Sequence, residues 1–134
     1  MGLAERRAVA AYQQNVFPKW QKTFDDYLGY HLEIEADWAN MGLEGSAELM
    51  EKGLDAIYFV PLLEAIKEVA PDDFGKEAMK AGFHKYKITG IEPDDRKFYK
   101  FADKTLSYEM NFCNIENYVN DRKQRIVQIF EENL

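Results

Sequence analysis

Glu33, Glu35 and Asp37 alternate along one short stretch, with His31 two residues before them. On a β-strand, side chains two residues apart project from the same face, about 7 Å apart. Carboxylates so placed could hold a divalent cation or work as a general acid–base pair. A solvated strand face accounts for the same residues. Lys85, Lys87 and Thr89 would share the wet face of a second strand, and cross-strand Glu–Lys pairs would follow if the two strands are neighbours. His31 and His84 both begin strands, so a two-histidine metal site needs those strands parallel and adjacent. No HxxxH or CxxC spacing supports such a site, and no metal is expected.

A second acidic set has helical spacing. Glu44, Glu48, Glu51 and Asp55 are separated by four, three and four residues, which makes one ridge on a helix. Like charges at that spacing cost about 0.2–0.5 kcal/mol per pair. A helix selected for stability alone would intersperse lysine, and Lys52 lies off the ridge. The ridge, together with Glu33, Glu35 and Asp37, is therefore read as a docking surface for a basic protein partner, because complementary charge speeds association. A solvated helix face is the plainer alternative. Gly42, Gly45 and Gly53 could also break the helix and dissolve the ridge.

Other chemistry is weakly encoded. Cys113 is the single cysteine, so no intramolecular disulfide forms, and it reads as a half-buried small hydrophobe. Ser46 and Ser107 are the only serines and neither lies near a histidine in sequence. Gly75-Lys76 lacks the GxxxxGK[ST] spacing, and Asp72 and Asp73 would repel a phosphate. No GxSxG or HExxH occurs. No catalytic residue and no cofactor is assigned. Eight tyrosines leave a rival reading: a small-molecule or enzymatic pocket between helices and sheet, lined by Trp38, Tyr58, Tyr86, Tyr99 and Tyr108, whose polar ring atoms would make the polar contacts.

Composition narrows the class. A chain of 134 residues fits a single domain, residues 1–134, able to bury a core without staples. A net charge of −7 argues against nucleic acid, which needs a basic footprint. The charge is localised: residues 29–82 carry twelve acids against four bases, and the remainder is near neutral. No apolar run approaches the ~20 residues of a membrane span, and residues 1–11 do not read as a signal peptide. A soluble, cytoplasmic protein is expected. Any homo-oligomer would form through an exposed sheet edge or an apolar patch.

The elements that must position these residues follow from periodicity. Val9, Tyr12, Val16, Trp20, Phe24 and Tyr27 form one helical stripe ending at Gly29. Pro18 either kinks that helix on its solvent side or the chain breaks at Phe17. Residues 30–38 alternate as a strand with Leu32, Ile34, Ala36 and Trp38 inward. Ser46 is expected to cap a helix with Ala47, Met50, Leu54 and Ile57 on one face. Pro61 opens the next helix, with Leu62, Leu63, Ile66 and Val69 inward, and Asp72 caps a third that stops at Gly82. Residues 83–91 form a strand with Tyr86 and Ile88 inward, followed by a turn at residues 93–95. Residues 97–102 and 105–112 form a hairpin turning at Asp103-Lys104, which pairs Ala102 with Thr105, Phe101 with Leu106 and Tyr99 with Tyr108. Asn114 caps a last helix whose stripe is Ile115, Tyr118, Val119, Arg122, Ile126, Ile129 and Phe130. The order α-β-α-α-α-β-β-β-α predicts an α+β fold with helices on one face of a mostly antiparallel four-stranded sheet. Its best functional fit is a non-enzymatic, inhibitor- or immunity-like interaction protein.

Overall fold

A computed structural model of the chain describes residues 2–42, 45–90, 98–109 and 119–134. Glu44, the turn at residues 93–95, Cys113, Asn114, Ile115 and Tyr118 lie outside the described residues.

The N-terminal stripe is divided between two helices, α1 (Leu3–Asn15) and α2 (Phe17–Leu28). Val16 links them, and Pro18 occupies the first turn of α2, where a missing N–H costs nothing. Pro18 therefore helps to start a helix rather than kinking one. α2 ends at Gly29, whose φ of 82° suits a residue without Cβ.

Residues 47–69 run as one helical path with a change of pitch. A 3₁₀ turn at Ala47–Leu49 leads into α3 (Met50–Leu54), a π turn at Asp55–Phe59, and α4 (Val60–Val69). Ser46 makes no side-chain cap, contrary to expectation. The π turn ends two residues before Pro61, whose ring would clash with the carbonyl four residues back in regular α geometry. Met50, Leu54, Ile57, Leu62 and Ile66 are buried. α5 (Asp73–Gly82) begins as expected: the Gly75 N–H donates to Asp72 Oδ1 at 2.8 Å.

The sheet is mixed, which corrects the expected mostly antiparallel arrangement. Its strands are β1 (Glu33–Ala36), β2 (Lys85–Thr89), β3 (Phe98–Ala102) and β4 (Thr105–Glu109), in the order β1-β2-β4-β3. β1 pairs parallel to β2, β2 parallel to β4, and only β3–β4 is antiparallel. A helical crossover of this length permits the parallel β1–β2 pair, and β4 then lies between β2 and its own hairpin partner. The hairpin register is the expected one: Ala102 opposite Thr105, Phe101 opposite Leu106, Tyr99 opposite Tyr108. Asp103 and Lys104 both have positive φ, 53° and 60°, the geometry of a tight two-residue hairpin loop.

One sheet face carries Tyr86, Ile88, Leu106 and Tyr108, all buried. α6 (Val119–Asn133) packs here through Phe130, whose ring centroid lies 5.0 Å from Phe83 and 6.2 Å from Phe101. The Tyr86 hydroxyl donates to the Tyr58 carbonyl of the π turn at 2.6 Å, joining sheet to helices. The other sheet face carries Glu33, Glu35, Lys85, Lys87, Lys100 and Ser107.

Candidate functional site

The carboxylates of β1 meet lysines. Register places Glu33 beside Lys85 and Glu35 beside Lys87. Lys85 Nζ lies 3.2 Å from Glu33 and 3.0 Å from Glu35, and Lys87 Nζ lies 3.5 Å from Glu35. The Lys85 ammonium beside Glu35 holds that carboxyl below the usual range. Asp37 accepts hydrogen bonds from Asn40 at 2.7 Å and from the Thr89 hydroxyl at 2.9 Å. Parallel pairing brings the two strand starts together, but each histidine has a local partner. His31 Nδ1 is 2.7 Å from Asp25 Oδ2, and His84 Nε2 donates to the Lys80 carbonyl. Among the described residues, no group of three or more His, Cys, Asp or Glu is placed to hold a metal ion.

The helical acidic residues are placed differently from one another. Glu48 and Glu51 are exposed, whereas Asp55 turns inward. Asp55 Oδ1 accepts from the Tyr12 hydroxyl at 2.6 Å and from Trp20 Nε1 at 2.8 Å. One carboxylate thus ties α1 and α2 to the start of the π turn. Burial, with the Asp55 carboxylate next, pushes the Tyr12 hydroxyl far above its ordinary value, so that it stays neutral and donates.

Glu48 and Glu51 stand on the rim of a groove of about 250 Å³. α1 supplies one wall with Ala8, Ala11, Tyr12 and Asn15, and the opposite wall is Ala47, Glu48, Met50 and Glu51. Alanines keep the groove open because they fill little space. Glu5 of α1 ties that helix to the turn before Ala47: its carboxylate accepts from the Gly45 N–H at 2.8 Å, which also lowers the Glu5 carboxyl below its usual range. Glu48 and Glu51 make no ion pair among the described residues. The groove therefore combines a partly apolar lining, with Ala8, Ala11, Val16, Ala47 and Met50, and a negative rim.

Four of the five aromatic residues read as a pocket, Tyr58, Tyr86, Tyr99 and Tyr108, pack together, and Trp38 lies apart from them. Trp38 packs near α1 and α2, 6.0 Å from Tyr12 and 5.2 Å from Phe17 between ring centroids. Tyr58, Tyr86 and Tyr108 are fully buried against one another, with Tyr58 edge-on to Tyr108 at 5.9 Å. Tyr99 stacks on Tyr108 at 4.2 Å with rings 2° from parallel. Burial raises the hydroxyl pKa of both Tyr86 and Tyr99. Arg122 is buried beside this cluster, only 2% exposed, and its Nη1 donates to the Ala56 carbonyl at 3.4 Å. Its place on an apolar helical stripe was the one signal of that burial in the sequence.

Sequence reasoning missed Tyr12 and Trp20 as partners of Asp55, and Ala8 and Ala11 as a groove wall. A signal existed: two rings with polar atoms on an otherwise apolar stripe need partners when buried. No helix among the described residues is long and apolar enough to cross a membrane. No family model, curated protein or solved structure matches the chain.

Proposed function

We propose that this protein is a non-enzymatic binding protein that docks a basic protein partner, in the manner of small inhibitor or immunity-type proteins, through the groove between α1 and α3. One observation carries the reading. The β1 carboxylates Glu33 and Glu35 are matched by lysines of the same chain, whereas Glu48 and Glu51 face solvent beside a partly apolar groove with no such match among the described residues. A lysine or arginine side chain suits this shape: its aliphatic stem covers Ala8, Ala11 and Met50 while its charged head reaches the rim. Asp55 adds a third negative charge behind Tyr12. The docking surface is thus centred on Glu48 and Glu51 with the charge of Asp55 behind them, and Glu33 and Glu35, offset by Lys85 and Lys87, add little to it.

A low-salt pull-down from source lysate, compared between the parent chain and two variants, tests this. Glu48→Lys with Glu51→Lys reverses the rim, and Ala11→Trp fills the groove without altering charge. Loss of the same basic protein in both variants, at unchanged circular dichroism, is the expected result. Equal retention by either variant overturns the assignment.

A further inference from the structure

The sheet face turned away from the helices holds a second, independent cavity of about 320 Å³, lined by Lys87, Thr89, Lys100, Ser107, Tyr108 and Glu109. It opens on the strands β2, β4 and β3, which are adjacent in the sheet. Register puts Lys87 opposite Ser107, and Ser107 opposite Lys100, so the three form one row across the sheet. Neighbouring strands lie about 4.8 Å apart, which sets the two lysine stems roughly 10 Å apart with a hydroxyl between them. Two flexible ammonium groups at that spacing can converge on one small oxyanion while the hydroxyl donates to it.

The polar groups of this row are under-used. Lys100 makes no ion pair and the Ser107 hydroxyl no hydrogen bond among the described residues. Lys87 has only the long 3.5 Å contact to Glu35, a carboxylate that Lys85 already holds at 3.0 Å. Glu109 lies diagonally across from Lys100, yet no ion pair joins them. The Thr89 hydroxyl is directed to Asp37 and leaves the anion role to the row itself.

We propose that this cavity binds a small hydroxycarboxylic acid, its carboxylate held by Lys87, Lys100 and Ser107 and its hydroxyl donated to Glu109. Charge balance selects the class. Among the described residues the lining holds two lysines and one glutamate, and Glu35 shares Lys87, so the net positive charge is at most +1 and suits a monoanion. A phosphate monoester carries about −1.5 to −2 at neutral pH and would overbalance it beside Glu109 and Glu35. The volume is at the small end of the range for ligand sites, which suits a small ligand.

Amide NMR titration of the full chain with glycolate, inorganic phosphate and sodium chloride at matched ionic strength tests the proposal. Saturable shifts at Lys87, Lys100 and Ser107 with glycolate, with weaker binding of phosphate and none of chloride, are expected. Lys100→Gln and Ser107→Ala should each weaken glycolate about tenfold while leaving the remaining spectrum in place, and Glu109→Gln should reduce the preference for glycolate over acetate. Linear, non-saturating shifts with every salt overturn the site. Tighter phosphate than glycolate overturns the ligand class. Both outcomes are separate from the fate of the groove between α1 and α3, which shares no residue with this cavity.

Discussion

Asp55 shows how one side chain can serve both fold and site. Its Oδ1 takes two donors from two different helices, Tyr12 at 2.6 Å and Trp20 at 2.8 Å. Hydrogen bonds to a charged acceptor are stronger than neutral ones, and a buried donor left without a partner is costly. Asp55→Ala removes the acceptor for both donors at once and should destabilise the chain by about 2–3 kcal/mol. Asp55→Asn keeps an acceptor but not the charge, and should cost about 1 kcal/mol. Urea unfolding followed by tryptophan fluorescence measures both, and Trp20 itself reports the change. A loss below ~0.5 kcal/mol for the alanine variant would show that water replaces the carboxylate. The 4-3-4 spacing of Glu44, Glu48, Glu51 and Asp55 placed Asp55 on a solvated ridge. The inward turn depends on Tyr12 and Trp20, residues 43 and 35 positions away in sequence, which no local pattern encodes. Glu48 and Glu51, by contrast, have no tertiary partner among the described residues, and their exposure was readable from spacing alone.

At the level of elements, local pairing was legible and non-local pairing was not. The β3–β4 register followed from an apolar alternation on both sides of Asp103-Lys104, because a hairpin turn leaves few registers open. The partners of β2 could not be read in the same way. Its strand alternates Lys85, Tyr86, Lys87, Ile88 and Thr89, a pattern equally suited to parallel and antiparallel neighbours, and its partners lie across a helical crossover and a long connection. The π turn was hidden too, since Pro61 read as a helix start and not as the reason for a pitch change upstream. The hairpin turn carries a strain that can be relieved. Lys104 sits at φ 60°, a left-handed conformation costing a side-chain-bearing residue about 1 kcal/mol. Its carbonyl accepts from the His84 N–H at 2.8 Å and the Lys85 N–H at 3.2 Å, contacts that any residue retains. Lys104→Gly should therefore raise stability by up to about 0.5 kcal/mol, net of glycine's larger unfolded-state entropy, whereas Lys104→Val should lower it. Thermal melts of the two variants against the parent chain check the opposite signs.

Across the whole molecule, one buried cluster runs from Val9 and Phe24 on the N-terminal helices, through Tyr58 and Phe59, to Tyr86, Leu106 and Tyr108 on the sheet and Phe130 on α6. Continuity of this kind is what a single cooperative unit requires. Two intrinsic reporters lie in different parts of the cluster. Trp20 stacks on Phe59 at 5.8 Å and Trp38 packs on Phe17, so tryptophan emission follows the helical layer. The Tyr99–Tyr108 stack follows the hairpin. Phe130 touches neither reporter pair among the ring contacts and instead bridges Phe83 and Phe101. Phe130→Ala opens a cavity in a fully buried place and should cost about 3–4 kcal/mol. If the core is one cooperative unit, tryptophan fluorescence and near-ultraviolet tyrosine circular dichroism should give the same urea midpoint in the parent chain, and both midpoints should fall together in the variant. Were the helical layer able to fold by itself, the hairpin signal would fall first and the tryptophan midpoint would stay where it was. The groove against α1 and the cavity on the sheet depend on the same answer, because a shared core holds the walls of both.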